Sequence, residues 1–386
     1  MKRDQIHGDI YLSDSELRLV NSTSFERLRQ IKQLGFAEYE YPCATHTRYQ
    51  HSLGVCQCVT DMYNAVNRNS PDFFRKGDLQ LLRMMALCHD LGHSPYSHAS
   101  EVLSDKTHEE RLTDILEYEK RNIILPNDYG CEAWDLINQV YNGTGSTYLS
   151  DPHLIALHGF MDWFIDADKI DYLERDARNC GVNYGIFDRD SLINSLVMVK
   201  DENNLETLGV LSGGIQAIES FILARYYMFT QVYMHPTERI RRKQFVFEMQ
   251  NLLPDSKYPD DIKKFLKLDD YTYFKRLKFL QGNEWSMSTL FDEDYDKHIE
   301  KAVKKSLSEL VIVDTPRKAI YRRDNNDKNI LCKDELTGKV STVSQKSHLI
   351  KSFEFMHIHK LRIYTDSYRK NEVKQELQNI LKEVSN

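Results

Sequence analysis

Five of the fourteen histidines fall at 51, 89, 93, 98 and 108. The densest stretch runs Ala86-Leu-Cys-His-Asp-Leu-Gly-His-Ser-Pro-Tyr-Ser-His98, with His89 and Asp90 side by side. Neighbours on a helix point about 100° apart, so such a pair normally serves two different partners. Both can serve one partner if it sits at the helix end. A metal ion completed by ligands from elsewhere in the chain is such a partner. His51, in Arg-Tyr-Gln-His-Ser-Leu-Gly, is a candidate third ligand. Asp168, in Asp-Ala-Asp-Lys-Ile-Asp-Tyr-Leu, is the best candidate for an anionic fourth. Two imidazoles and two carboxylates suit a borderline divalent transition ion such as Mn, Fe, Co or Ni, with Zn also possible. A single histidine at a helix end more often caps or packs than ligates. The density of the group, with Gly92 and Pro95 fixing the turn inside it, is what points to a metal.

Helices must hold these residues. The spacing of apolar positions predicts helical structure between 17 and 34, then helices over about 52–67, 78–91 and 107–120. Further helices are expected over 159–179, 212–234 and 237–251. Residues 7–12 alternate as a short strand does, Ser13 or Ser15 offers a helix cap, and 122–130 and 142–151 read as loops. Past Pro254 the texture changes to dense Lys and Asp, with short β-rich runs at 310–313, 340–343 and 361–364 and a last amphipathic helix over 372–384. A boundary near 252 therefore divides residues 1–252 from a smaller α+β lobe, 253–386. The expected fold is mainly α.

The chain has 386 residues, a net charge of −7, 41% hydrophobic and 28% charged residues, as a soluble globular protein does. No secretory signal and no membrane span is expected, since no sufficiently long apolar run exists. Seven cysteines without a CxxC pair support neither a disulfide scaffold nor a zinc ribbon, which makes a reducing cytoplasm the expected compartment. Slight acidity argues against a protein that coats nucleic acid.

Four blocks carry a family resemblance: Ile6-His-Gly-Asp-Ile10, Phe25-Glu-Arg-Leu-Arg-Gln-Ile-Lys-Gln-Leu-Gly35, Arg48-Tyr-Gln-His-Ser-Leu-Gly-Val55 and His89-Asp-Leu-Gly-His-Ser-Pro-Tyr-Ser-His98. In this order, and with Asp168, they resemble the deoxynucleoside-triphosphate triphosphohydrolases of the HD-domain phosphohydrolases, over about residues 4–245. The resemblance implies a helical HD core and one tightly bound divalent transition metal on His51, His89, Asp90 and Asp168. It implies hydrolysis of dNTPs at the α-phosphorus to deoxynucleoside and triphosphate, with Mg²⁺ accompanying the substrate. Arg48 matches a contact to the α-phosphate, for which a forked guanidinium is suited. His98 and Glu101 match a catalytic dyad in which the carboxylate orients the imidazole and holds it protonated. His93 and His108 match histidines lining the phosphate path. Lys169 and Arg225 match phosphate-binding cations, Tyr172 and Tyr233 match walls of the sugar pocket, and Gln33 and Asp176 match readers of the sugar edge.

This chain departs from the family near the base, where Phe229 and Met234 replace side chains that could hydrogen-bond. No allosteric nucleotide motif is recognised in it. The resemblance further implies a homo-oligomer, a tetramer or hexamer built from dimers. Two rival readings stay open. One is a nuclease or phosphodiesterase using the same metal, with Arg239-Ile-Arg-Arg-Lys243 and Arg317-Lys-Ala-Ile-Tyr-Arg-Arg323 tracking nucleic-acid phosphates. The other is a non-catalytic nucleotide sensor.

Overall fold

The computed structural model describes residues 1–123, 136–138, 151–277, 287–321, 329–354 and 356–385. It begins with a hairpin of β1 (Lys2–Asp4) and β2 (Gly8–Ile10). Ser13 then caps the helix Asp14–Val20, its hydroxyl accepting from Glu16 N while the Glu16 carboxylate accepts the Ser13 N–H. The helical stretch expected up to residue 34 is broken, because Ser22 caps a restart at Thr23–Glu26 that tightens into a 3₁₀ turn, Arg27–Gln30.

The helix Arg48–Asn69 is the central pillar, flanked by Asp78–Cys88 and Ala167–Cys180. It starts a turn earlier than its apolar spacing predicts, since the Gln50 carboxamide accepts the Thr47 N–H at 2.7 Å. Gly54 lets Ala167–Cys180 pass close by: a Cβ there would lie 2.0 Å from Asp171 Oδ1. The helix expected over 159–179 begins only at Ala167 and runs to Cys180, and a separate helix, Pro152–His158, precedes it. Asp166 caps the second by accepting from Lys169 N, so Asp168 sits in a first helical turn. The stretch 212–234 is helical from Ile215 to Met228 and then widens into a π-turn, Phe229–Tyr233, before Pro236–Leu252. Thr107 caps His108–Glu119.

Eight further strands follow: β3 (Leu196–Lys200), β4 (Glu206–Leu211), β5 (Met287–Asp294), β6 (Ile312–Asp314), β7 (Arg317–Ala319), β8 (Leu331–Lys333), β9 (Val340–Thr342) and β10 (His357–Asp366). One sheet runs β3-β4-β8-β9, with β4 and β8 parallel. The other is built on β10, which pairs antiparallel with β5, β6 and β7. The main hydrophobic core runs from Ile10 to Ile358 and takes in Leu253, Tyr258, Phe265 and Leu277. A second, small core joins Val303, Leu307, Ile363, Val373, Leu377 and Ile380 beneath the last helix, Lys370–Ser385. Overall the described chain is mainly helical, as expected. The two segments read as loops lie, apart from Asn122, Ile123 and Asp151, outside the described residues. No helix among the described residues is long and apolar enough to cross a membrane.

Candidate active site

Three donor atoms from three helical regions converge. His51 Nε2 lies 2.9 Å from Asp168 Oδ1 and 3.2 Å from His89 Nε2, and His89 Nε2 lies 3.7 Å from Asp168 Oδ1. Asp90 closes the group, with Oδ1 3.4 Å from His89 Nε2 and Oδ2 3.7 Å from His51 Nε2. All four expected ligands therefore share one place. Each imidazole is oriented through its other nitrogen: His51 Nδ1 bonds Asp171 Oδ2 and His89 Nδ1 donates to the Ala86 carbonyl, both at 2.7 Å. That leaves both Nε2 atoms for an ion, the arrangement metal-ligating histidines need. Asp171 is braced in turn by His7 at 2.7 Å and by a two-pronged contact from Arg175, which also grips Asp4.

The electrostatics fit a cation. Burial opposes a charge on His51, but hydrogen bonds to Asp168 and Asp171 and the nearby charge of Asp90 outweigh it and raise the group to about 10. Burial likewise opposes ionisation of Asp168, yet the His51 hydrogen bond and the two imidazoles hold it down at about 2. Asp90 is held well below the usual carboxylate range, because Arg48, His89 and His93 outweigh its burial. In the metal-free protein the His51 proton occupies the position of positive charge that an ion would take.

Beside this group stands a second one. His93 Nε2 lies 3.2 Å from Asp90 Oδ1, and the His93 ring stacks on His108 with centroids 4.1 Å apart. Glu101 Oε1 accepts from both His98 Nδ1 at 2.7 Å and His108 Nδ1 at 2.9 Å. His98 and Glu101 are three apart on a 3₁₀ turn, Ser97–Leu103, rather than on an α-helix; that turn eclipses such pairs and aligns them well. Crowding by protein lowers the His98 pKa, with the nearby charge of Arg48 adding to it, against the Glu101 hydrogen bond that raises it; Glu101 is shared with His108. Burial, Arg48 and His108 likewise push His93 well below the ordinary histidine range. Gly92 is required here: a Cβ would sit 1.9 Å from the His108 carbonyl oxygen. Arg48 joins the two groups, its NH1 2.6 Å from Asp90 Oδ2 and its Nε donating to Ser97 Oγ at 2.7 Å.

A line of polar side chains continues along the helix Ala167–Cys180. Asp168, Tyr172 and Asp176 recur every four residues and share a face. Arg225 donates to the Tyr172 hydroxyl at 2.7 Å, and Tyr233 donates to Asp176 at 2.8 Å. Lys169 is turned onto Asp166 and the Trp163 carbonyl. The Gln33 side-chain carbonyl is buried with no hydrogen-bond partner among the described residues. Phe229, in the π-turn, lies 5.0 Å from the Tyr233 ring and beneath the cations of Arg225 and Lys318, each 4.9 Å from its centroid. Sequence spacing missed His7, Asp171, Arg175 and His46, which bonds Asp176 at 2.7 Å. Asp171 and Arg175 had a signal, their i, i+4 spacing on the helix that carries Asp168.

The HD domain family matches residues 48–147, the segment that supplies His51, His89 and Asp90, and the HD associated region matches 187–293. The chain carries an HD domain and its associated region. Asp168 falls between the two matched segments, and the fold delivers it to the HD residues. The chain is 33% identical over 287 residues to an uncharacterized protein of Methanocaldococcus jannaschii, an alignment covering 72% of this chain and 55% of that one. It is 26% identical over 317 residues to the deoxynucleoside triphosphate triphosphohydrolase SAMHD1 of Homo sapiens, covering 75% and 47%. The crystal structure of a hypothetical protein from Aquifex aeolicus matches 97% of this chain and 99% of its own at a TM-score of 0.81 and 29% identity. The chain spans about half the length of the curated relatives it matches.

The first basic run of the nuclease reading is engaged within the protein. Arg239 pairs with Asp314 at 2.6 Å, Lys243 with Asp314 at 3.3 Å and Arg242 with Glu238 at 2.8 Å, while Arg241 lies over the Tyr39 ring. Of the second run, Arg322 and Arg323 lie outside the described residues.

Proposed function

We propose that this protein is a metal-dependent dNTP triphosphohydrolase, releasing deoxynucleoside and intact triphosphate. The observation that carries the reading is one helix, Ala167–Cys180, bringing Asp168 to the metal group and Tyr172 and Asp176 along the same face to Arg225 and Tyr233. The likeness to proteins named dNTP triphosphohydrolases supports it. His51, His89, Asp90 and Asp168 would hold the ion, which would supply Lewis-acid stabilisation of charge on the phosphoryl group. Arg48, fixed by Asp90 and Ser97, presents its guanidinium beside that group. Arg225 and Lys169, once Lys169 turns from Asp166, offset the remaining triphosphate charge. Water adds to the α-phosphorus as the P–O5′ bond breaks, His98 gives the 5′-oxygen its proton, and the proton lost by the water passes to solvent.

Protein packed around His98 lowers its pKa in the free site, and an incoming polyanion favours the protonated form needed for that step. Phe229 and buried Met234 offer the base an aromatic and an apolar surface, so bases are read through stacking and backbone, and tolerance among the four dNTPs is expected. The test is incubation of the purified protein with each dNTP, singly and mixed, with Mn²⁺ or Mg²⁺. Stoichiometric triphosphate and deoxynucleoside are expected. Pyrophosphate and monophosphate as products, or cleavage of single-stranded DNA alone, would replace this reading with another HD chemistry.

A further inference from the structure

Asp270 lies outside every residue group considered above. It is buried at 2% exposure in a turn far along the chain from the HD motifs. Its carboxylate accepts two backbone N–H groups: Tyr96 N on Oδ1 at 2.6 Å and Lys32 N on Oδ2 at 2.9 Å. Its own N–H donates to the Gln30 carbonyl at 3.1 Å. The turn that carries it is anchored separately, since Arg27 Nε donates to the Leu268 carbonyl at 2.7 Å and Asp269 accepts from Tyr271 N and Thr272 N.

The two loops it joins carry chemistry. Tyr96 and the next residue, Ser97, both sit in the left-handed region, at φ 59° and 56°. Two consecutive non-glycine residues there are disfavoured and persist only where the surroundings impose them. The Tyr96 ring is fixed between Phe36 and Phe245, and its N–H is fixed by Asp270. Directly after this turn come Ser97, which receives Arg48 Nε and donates to the Lys32 carbonyl, and His98. The other loop carries Gln33 and Lys32.

We propose that Asp270 is a positioning residue for the reaction, a carboxylate that locks the Tyr96–Ser97 turn against the Lys32 loop and so sets the placement of His98 and Arg48. It touches none of the four metal-group side chains and reaches Asp90 only through Arg48, so its main effect falls on the acid and the phosphate arginine. The inference rests on the triphosphohydrolase reading for its activity readout and on geometry for the rest.

The test is Asp270→Asn, which sets an amide donor against one of the two N–H groups, and Asp270→Glu, which keeps two acceptors on a longer arm. With Asp270→Asn we expect wild-type metal content, a kcat lower by on the order of 100-fold, as small misplacements of catalytic groups produce, and a far smaller change in KM. The His98 imidazole titration, followed by NMR, should move, and Asp270→Glu should recover part of both effects. Should Asp270→Asn not fold, Asp270→Glu alone must still show a shifted His98 titration with full metal content. Wild-type kcat with an unmoved His98 titration would overturn the proposal, as would a loss of activity in a folded variant that follows loss of metal. If the wild-type protein releases no triphosphate while the His98 titration still shifts, the clamp stands and the reaction assignment falls.

Discussion

The two histidine groups lie within one side chain of each other and are opposite in character. His51, at the centre of the metal group, is fully buried, fixed on both nitrogens by carboxylates and raised to about 10. His98, in the neighbouring group, has a side chain 53% exposed, shares its carboxylate with His108 and is lowered. The same residue type is thus tuned in two directions by its surroundings. A rigid, anion-rich cradle holds the place of a cation. A looser, half-exposed imidazole has its proton affinity lowered. The difference teaches that the first group is fixed by the fold on both ring nitrogens of His51, while the second keeps an open side.

The largest break in this contrast should come from Asp171→Ala. It removes the partner of His51 and His7 and strips Arg175 of half its buried contacts. We expect a stability loss on the order of 3–5 kcal/mol, as for a buried charge left unpaired, together with loss of bound metal, read by thermal unfolding and elemental analysis. Combined His89→Ala and Asp90→Ala should abolish metal retention and turnover while the helical circular dichroism stays. His98→Ala, in the other group, should keep the metal and lower turnover by roughly 10²–10⁴, the worth of general acid catalysis. Near-native turnover in that variant would refute its acid role.

Acidity separates the groups further. The folded pKa of His51 lies above its unfolded value near 6.5. Its contribution to stability is therefore complete below about pH 6.5 and lost as pH rises toward 10 in the metal-free protein. An ion must displace that proton, so apparent metal affinity should climb with pH across the same window. Titration calorimetry in buffers of different ionisation enthalpy should record about one proton released per ion; no release would contradict the protonated cradle. The smallest expected effect is Thr107→Ala, which removes the cap that starts the His108 helix and should cost about 1 kcal/mol in unfolding with metal content unchanged.

The metal group was legible in the sequence because of a His-Asp doublet, with His51 inside a distinctive block and Asp168 in an acid-rich run as further donors. The residues that brace it were not, since His7 and Asp171 meet across 164 positions and neither is unusual alone. Helix ends were misplaced where a polar cap overrides apolar spacing, as Asp166 does for the helix bearing Asp168 and Ser22 does after Val20. The hairpin of β3 and β4 escaped notice because β3 is buried almost throughout and lacks alternation. Asp270 was invisible for a different reason: its role is to bind backbone, which leaves no trace in residue type.

The central claim is one divalent cation held jointly by His51, His89, Asp90 and Asp168. Anomalous scattering from a crystal grown with Mn²⁺ tests it directly. The account predicts a single strong peak among the two Nε2 atoms and the two carboxylates, lost in Asp168→Ala. A peak only elsewhere, or full occupancy after that substitution, would contradict it.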